Sequence, residues 1–423
     1  MTTPADLVAV RNGMANQYRQ LLAEVKADPN GASPALLGKT MVAAVCANDQ
    51  VNAVRIAQRL VPNVPSFAPL RLSPLATLAE YCQARALRYE QVLAPTRVEI
   101  AASLTSPALS YDTEPAVFAS VPRAQYIPGW DFVIGEDDTV VRDSGYMPLD
   151  LATKSFQTFH IRGIDSLVHY SPDEERFVDE EVLFLSTPVN NVGHWMIDFL
   201  PRLKGLAVLG RKVKLAVPSD IPARYLELLR AFDISDSDLI ACAPQVRHRF
   251  RMCHVYRPGR AEPPNPVHLG FVRETLTGRK TLSPRAGKRV FLARTRIGTR
   301  RIANQPEFQA FLERHDFTAA DPADLSLAEQ ETLLGDAQLI LGPYGSNLFG
   351  MYLAPSACTV ITLISAVQKD LVFAATAGLL GMRHDYVVCE NAPEAGLQLQ
   401  KKDRDIIVDC EALGRRLADL GVA

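Results

Sequence analysis

The chain has 423 residues, 48% hydrophobic and 22% charged, with 45 Lys and Arg against 47 Asp and Glu and a net charge of −2. This is globular composition with room for two or three domains, and it excludes a disordered chain, a collagen-like repeat and a small disulfide-stapled scaffold. The charge is unevenly spread. Arg247 to Arg301 holds fifteen Lys and Arg against Glu262 and Glu274, so this segment carries +13 and the remainder −15, an asymmetry that bears on partners.

Residues 1–95 read as a helical region. Leu7, Val10, Met14, Tyr18, Leu21 and Val25 recur at three- and four-residue steps, one apolar stripe on a helix that Asp28-Pro-Asn-Gly31 ends. Further amphipathic stretches follow at Ala35–Ala47, Gln50–Leu60 and Leu75–Leu93, without a convincing 34-residue repeat. The N-terminus shows no basic region followed by an apolar run, and the longest apolar stretch, Leu371–Met382, is too short for a bilayer and reads as a core helix. Cys46, Cys82, Cys242, Cys253, Cys358, Cys389 and Cys410 form no Cys-x-x-Cys pair and are expected as free, buried thiols. A cytoplasmic protein is expected. Peripheral contact with the inner face of a membrane and self-association through residues 1–95 are left open.

Beyond Pro95 short β-like runs (Arg97–Ile100, Asp131–Ile134, Thr139–Val141, Phe156–Ile161) lead into alternating strands and helices. Strands are expected at Val182–Ser186, Lys214–Val217 and Arg251–Arg257, with helices His194–Leu209, Pro222–Phe232 and Pro266–Leu276. After a Pro/Gly/Arg linker, Ser283–Lys288, the pattern restarts. Strands are expected at Arg289–Arg294, Gln338–Leu341, Thr359–Ile364 and Tyr386–Cys389. Helices are expected at Pro306–Arg314, Leu327–Ala337, Asn347–Leu353 and Asp370–Leu380. The fold class is therefore α/β, with doubly wound Rossmann-like domains at 96–282 and 283–423 facing a cleft, and with 1–95 added in front. Ligands in such sheets sit beyond the carboxyl ends of the strands.

Three turns follow strands in that way. Gly342-Pro-Tyr344-Gly345-Ser346-Asn347 leads from a strand into a helix, so close backbone approach, N–H groups and the helix dipole suit a diphosphate, or Ser346 or Asn347 is a plain helix cap. Arg294-Thr-Arg-Ile-Gly-Thr-Arg300-Arg301 places four arginines after a neighbouring strand, suited to bidentate phosphate contacts or to a solvated loop. In Asn190-Asn191-Val-Gly-His194-Trp195-Met-Ile-Asp198, His194 and Asp198 lie on one helix face, a base with its orienting carboxylate or a local cap. Asp236-Ser-Asp238 resembles a metal-binding Asp-x-Asp but reads better as turn and cap chemistry. Arg247-His-Arg-Phe-Arg251 lacks the aromatic interleaving of a nucleic-acid module, and no nucleic-acid partner is expected.

Together these segments resemble glycosyltransferase family 61. The matching residues are Asn191…His194-Trp195…Asp198…Pro201, Arg294…Arg301-Ile-Ala-Asn304, Leu327-Ala-Glu329-Gln330 and Gly342-Pro-Tyr-Gly-Ser-Asn-Leu348, in order over roughly residues 180–365. The chain departs from the family pattern at Tyr344, Ser346-Asn347, Gln305 and Thr362. The resemblance implies a two-domain GT-B fold and an inverting hexosyl- or pentosyltransferase of surface-polysaccharide or capsule biosynthesis, with no metal or other cofactor. A nucleotide sugar would be the donor; the basic residues from Arg247 to Arg289, bordering the expected cleft, suit an anionic glycan or lipid-linked acceptor. The resemblance implies His194 and Asp198 as catalytic residues. Arg294, Arg300, Arg301, Asn304, Gln330, Tyr344, Gly345, Ser346 and Asn347 fall on the donor side, and Asn190, Asn191 and Trp195 on the acceptor side. The rival expectation is a catalytically silent scaffold of the same architecture.

Overall fold

A computed structural model describes residues 4–29, 31–60, 69–129, 132–145, 158–160, 166–185, 190–259, 262–278, 287–368, 371–393 and 401–421. The fold is mixed α/β, built on two large sheets. In the six-stranded sheet, Phe317–Ala320, Lys288–Leu292, Ala337–Pro343, Thr359–Ser365 and Arg383–Asn391 lie side by side and parallel, and Ile406–Ile407 closes the far edge antiparallel. In chain order this is 2-1-3-4-5. Val290-Phe-Leu292, Leu339-Ile-Leu341 and the whole of Thr359–Ser365 are buried, as expected of parallel strands covered on both faces.

The second sheet has twelve strands. Its parallel part runs Leu239–Cys242, Lys214–Pro218, Glu175–Phe184, Arg247–Arg257, again doubly wound, with the fourth strand added on the other side of the first. Ala116–Pro122 and Gln125–Tyr126 then pair antiparallel with Arg247–Arg257, and short strands carry the sheet on to Leu70–Ala76 and Ser166–Tyr170. One apolar core joins the two sheets: Leu183, Trp195, Phe199 and Leu215 of the larger pack in the same cluster as Val290, Leu292, Ile340, Leu348 and Tyr352 of the smaller.

Several local expectations are corrected. Among the described residues of 1–95, helices cover Pro4–Ala27, Pro34–Cys46, Gln50–Leu60 and Leu78–Ala84. Leu70–Ala76 and Tyr89–Leu93 are strands of the large sheet, paired with Ser166–Tyr170 and Ala116–Pro122. Leu70, Leu72 and Leu75 face the helices Pro34–Cys46 and Gln50–Leu60 in one core, so cross-strand pairing overrides the helix-like spacing of leucines after Leu75. The helix that starts there is capped reciprocally by Thr77 and Glu80 and stops at Ala84. Of the expected linker Ser283–Lys288, residues 283–286 lie outside the described residues and Lys288 already opens the strand Lys288–Leu292. All seven cysteines are free, six of them buried. Leu371–Met382 does contain a core helix, Val372–Leu379.

A hairpin, Arg97–Ile100 with Leu109–Asp112, reaches across to the smaller sheet. The Oγ of Ser106 lies 2.7 Å from His384 Nδ1, Thr362 Oγ1 lies 3.0 Å from its Nε2, and Tyr386 N–H donates to Thr105 Oγ1 at 2.8 Å. Thr105 also donates to the carboxylate of Asp385, which Arg416 grips from the other side at 3.1 Å. Burial presses His384 down to about 4. Asp385 is held below its usual 3.8: burial pushes it up, but the Arg416 and Thr105 bonds outweigh that. The unfolded chain therefore binds the histidine proton first as pH falls, and the ion pair is lost at still lower pH, so both groups make acid destabilising. Asp385→Asn should cost about 3 kcal/mol at neutral pH, the low end for breaking a buried pair because Arg416 is partly exposed. That penalty should shrink as Asp385 of the parent protein protonates, which urea denaturation at a series of pH values measures.

Candidate active site

In the smaller sheet strand order reverses between Lys288–Leu292 and Ala337–Pro343. In the larger it reverses between Glu175–Phe184 and Arg247–Arg257. Such switch points leave a crevice at the carboxyl ends of the strands. The segments after Glu175–Phe184, Lys288–Leu292 and Ala337–Pro343 line one cavity of about 340 Å³. Asn190, Asn191, His194, Arg294, Arg300, Gln330, Tyr344, Gly345, Ser346 and Asn347 all reach it.

The smaller sheet supplies the cationic end. Arg294 is half-buried, and its Nε donates to the Thr299 carbonyl at 3.1 Å. Among the described residues no carboxylate lies within ion-pair distance of it. Burial, and then repulsion from Arg300, lower its pKa to about 10, the direction expected of a cation short of compensation. The nearest acid of the turn, Asp321, is engaged elsewhere: its carboxylate accepts from Thr295 N–H at 2.7 Å, Thr295 Oγ1 at 2.6 Å and Ala323 N–H at 3.0 Å. Although burial pushes Asp321 up, these bonds hold its pKa below the ordinary value. Arg300 lies over the Tyr344 ring, 5.4 Å from its centroid, with Nε 3.8 Å from Asp403.

Gly345 comes next to Arg294. A Cβ there would run into the Arg294 guanidinium, so the absence of a side chain, rather than any special backbone angle, is what the position requires. Ser346–Leu353 follows as a 3₁₀ helix where an α-helix from Asn347 was expected, and no side chain caps its first turn. The Asn347 Nδ2 donates to the Leu292 carbonyl at 2.8 Å and ties the ends of the two strands together, while its Oδ1 is buried without a partner. The opening N–H groups of such a helix, beside a guanidinium, favour an anion.

The larger sheet supplies the basic end. The expected regular helix His194–Leu209 is an irregular one: an α turn at Val192–His194, a π turn at Trp195–Phe199, a 3₁₀ turn at Leu200–Leu203 and α again at Lys204–Leu209. Pro201 has no N–H and its ring clashes with the preceding turn, which forces the change of register. Leu200 N–H accordingly bonds the Trp195 carbonyl five residues back. His194 Nδ1 and Asp198 Oδ2 are 2.8 Å apart, with the histidine partly exposed and the aspartate buried. Burial raises the Asp198 pKa, and the His194 bond and the Arg202 charge oppose the rise. Arg202, fully buried, donates to the Asp198 and Ser144 carbonyls at 3.3 and 2.8 Å rather than to the carboxylate. Asn191 caps the first turn through Gly193 N–H at 2.8 Å. Gly193 lets this turn approach the other sheet's helix, since a Cβ would stand 2.9 Å from the Phe349 ring.

Three sequence expectations fall elsewhere. Arg301 lies outside this cavity and pairs with Asp405 at 2.9 Å. Asn304 clamps the C-terminal edge of the sheet, accepting from Val408 N–H at 3.0 Å and donating to the Val408 carbonyl at 2.9 Å. Trp195 is buried in the core, stacked on Tyr225 at 4.2 Å. Thr362 and Gln305 are also away from the cavity. Asp236–Asp238 is the capped turn expected of it, with Ser235 as cap. Arg224, Arg296, Asp321 and Phe373 line the cavity and were missed. Asp321 was legible in principle, as the residue after strand Phe317–Ala320. Part of the basic segment is paired with acids: Arg247 and Arg249 with Glu175, Arg251 with Asp179 and Glu181, Arg257 with Glu114, and Arg296 with Asp324.

The mixed α/β fold sets one cavity between Arg294 and Arg300 on the side of the smaller sheet and His194 on the side of the larger. A family model described as Glycosyltransferase 61 matches residues 192–361, the stretch from the His194 turn to the strand Thr359–Ser365, and no curated protein matches the chain. That domain supports glycosyltransferase family 61 and a transferase activity. Among the described residues no helix is long and apolar enough to cross a membrane. Replacing Gly345 with Ala should displace Arg294 and leave the fold intact. Nucleoside diphosphate affinity, read by calorimetry, is expected to fall about 10-fold or more, with little change in melting temperature.

Proposed function

We propose that the protein is a metal-independent, inverting glycosyltransferase that moves a sugar from a nucleotide-sugar donor to a glycan or lipid-linked acceptor in surface-polysaccharide assembly. The observation that carries this reading is Arg294, a half-buried cation with no carboxylate at ion-pair distance among the described residues, set against Gly345 and the uncapped start of Ser346–Leu353. The donor diphosphate supplies the missing negative charge. The two-domain GT-B arrangement belongs to the same proposal and is supported by two doubly wound parallel sheets that meet at one cavity.

In the proposed reaction the acceptor hydroxyl gives its proton to His194, and its oxygen attacks the anomeric carbon from the side opposite the diphosphate. The bond from that carbon to the diphosphate oxygen breaks, and the electron pair leaves with the phosphate. With the Nδ1 proton shared with Asp198, Nε2 is the basic nitrogen, and the buried carboxylate stabilises the imidazolium that forms. Arg294, Arg300 and the first N–H groups of Ser346–Leu353 stabilise the charge growing on the leaving group, most strongly where water is excluded. Within strand Arg247–Arg257 the four arginines are paired with acids, so an anionic acceptor draws no support from that strand.

A thermal-shift screen against UDP, GDP, CMP and dTDP sugars identifies the donor; silence across the panel sinks the reading. With the donor in hand, His194→Ala should lower kcat about 10²- to 10⁴-fold with donor affinity nearly unchanged. Arg294→Ala should do the reverse at the binding step, weakening the donor about 10- to 100-fold. Full turnover in the His194 variant removes the base assignment.

A further inference from the structure

Helix Ala223–Ala231, which follows strand Lys214–Pro218 of the larger sheet, brings to the cavity a carboxylate that the reaction above does not use. One oxygen of Glu227, Oε2, accepts at 3.2 Å from the N–H of Leu327, the first residue of helix Leu327–Leu334 beside the smaller sheet. Among the described residues its other oxygen, Oε1, has no hydrogen bond. We infer that Glu227, together with Gln330, holds the 2′,3′-diol of the donor's ribose, so that the donor is a ribonucleotide sugar and not a 2′-deoxy one; the inference rests on the glycosyltransferase reading above.

Gln330 is the second acceptor. Its Nε2 donates to the Pro322 carbonyl at 3.0 Å and to the Leu325 carbonyl at 3.1 Å, which uses both amide hydrogens. Those two bonds fix the amide and leave Oε1 for a ligand. Gln330 stands three residues after Leu327, on the helix turn that Glu227 bonds, and both side chains are half-buried at the cavity. The backbone beside them gives no donor: every N–H from Ala323 to Leu327 is already bonded, to Asp321, Pro322, Glu329 or Glu227, and Pro322 has none. A carboxylate and an amide oxygen without an N–H between them repel phosphate and leave the carbonyls of a base unmatched. Two hydroxyls on adjacent carbons present the O–H donors that such a pair accepts.

The placement agrees with the order of groups in a nucleotide sugar. Asp321, where this strip begins, bonds the N–H of Thr295, the residue after Arg294. The strip therefore starts where the proposed diphosphate ends, and ribose is the next unit of the donor. Arg224, three residues before Glu227 on the same helix face, is turned to Asn190 Oδ1 and to Tyr225 Oη at 3.0 Å. In this arrangement both sheets grip the nucleoside, whereas the smaller sheet alone holds the diphosphate.

Calorimetry on the full-length protein compares UDP, GDP and CMP with their 2′-deoxy and 3′-deoxy forms and with dTDP. The tightest ribonucleotide should bind about 10-fold or more above the deoxy form that lacks the hydroxyl on Glu227, and about 3-fold above the other, as hydrogen bonds to a charged and to a neutral acceptor differ. Glu227→Ala should erase the larger difference and leave the affinity of that deoxy form within about 2-fold. Glu227→Gln, which keeps an oxygen for Leu327 N–H, should fall between, and melting temperatures report whether the helix contact survives. Equal affinity for ribonucleotides and deoxynucleotides, dTDP as the tightest ligand, or Glu227 variants that weaken both forms alike overturn the ribose assignment and leave the transferase reading standing. A guanine edge held by the same two acceptors would show as a preference for GDP that is blind to both hydroxyls, which overturns it too. Absence of binding by every nucleotide rejects the transferase reading as well.

Discussion

Arg294 is held at the end of a parallel strand where, among the described residues, its hydrogen-bond partner is the Thr299 carbonyl and no carboxylate stands at ion-pair distance, and the rest of the site is arranged around that imbalance. Drawing a guanidinium out of water without a counter-charge is unfavourable. The chain nevertheless spends the nearest carboxylate, Asp321, on the Thr295 and Ala323 backbone. Gly345 makes room for the guanidinium, and Asn347 bonds the Leu292 carbonyl so that the helix start cannot drift from the strand that carries Arg294. In the proposed reaction the donor diphosphate takes the place a carboxylate would fill.

The opposite wall depends on a close approach of backbones. Gly193 permits the His194 turn to press against Phe349 of the smaller sheet's helix, and the shared core of Trp195, Phe199, Leu348 and Tyr352 holds that contact. The π turn after His194, imposed by Pro201, sets Asp198 under the imidazole at 2.8 Å. Far from the cavity, the Thr105 and Ser106 contacts to His384 and Asp385 tie the same two sheets together from the other side. His194 and Arg294 thus belong to different sheets but to one packed body.

Much of this was legible along the chain. Buried runs such as Leu339-Ile-Leu341, each followed by Gly, Arg or Asn, announce parallel strands with polar turns at their carboxyl ends, and the four-residue spacing of His194 and Asp198 announces a shared helix face. Trp195, Arg301 and Asn304 were misread because a motif lists neighbours without saying which way each side chain turns. Within eleven residues Arg294 enters the cavity, Arg301 turns to Asp405 and Asn304 to Val408. Leu70–Ala76 was misread because seven residues cannot declare a strand whose partner lies about ninety residues later.

The net charge of −2 shows the division most plainly. By itself the sequence determined the alternation of strands and helices, the turns that carry polar groups, and a basic segment of +13 within an otherwise acidic chain, because periodicity and local charge are properties of neighbours. Only the tertiary structure decided which of those charges remain available. It set Glu175, Glu181 and Glu114 against the arginines of Arg247–Arg257 and left Arg294, among the described residues, without an acid at ion-pair distance. Compensation depends on distance in space, and strands far apart in the chain meet only when the sheets form.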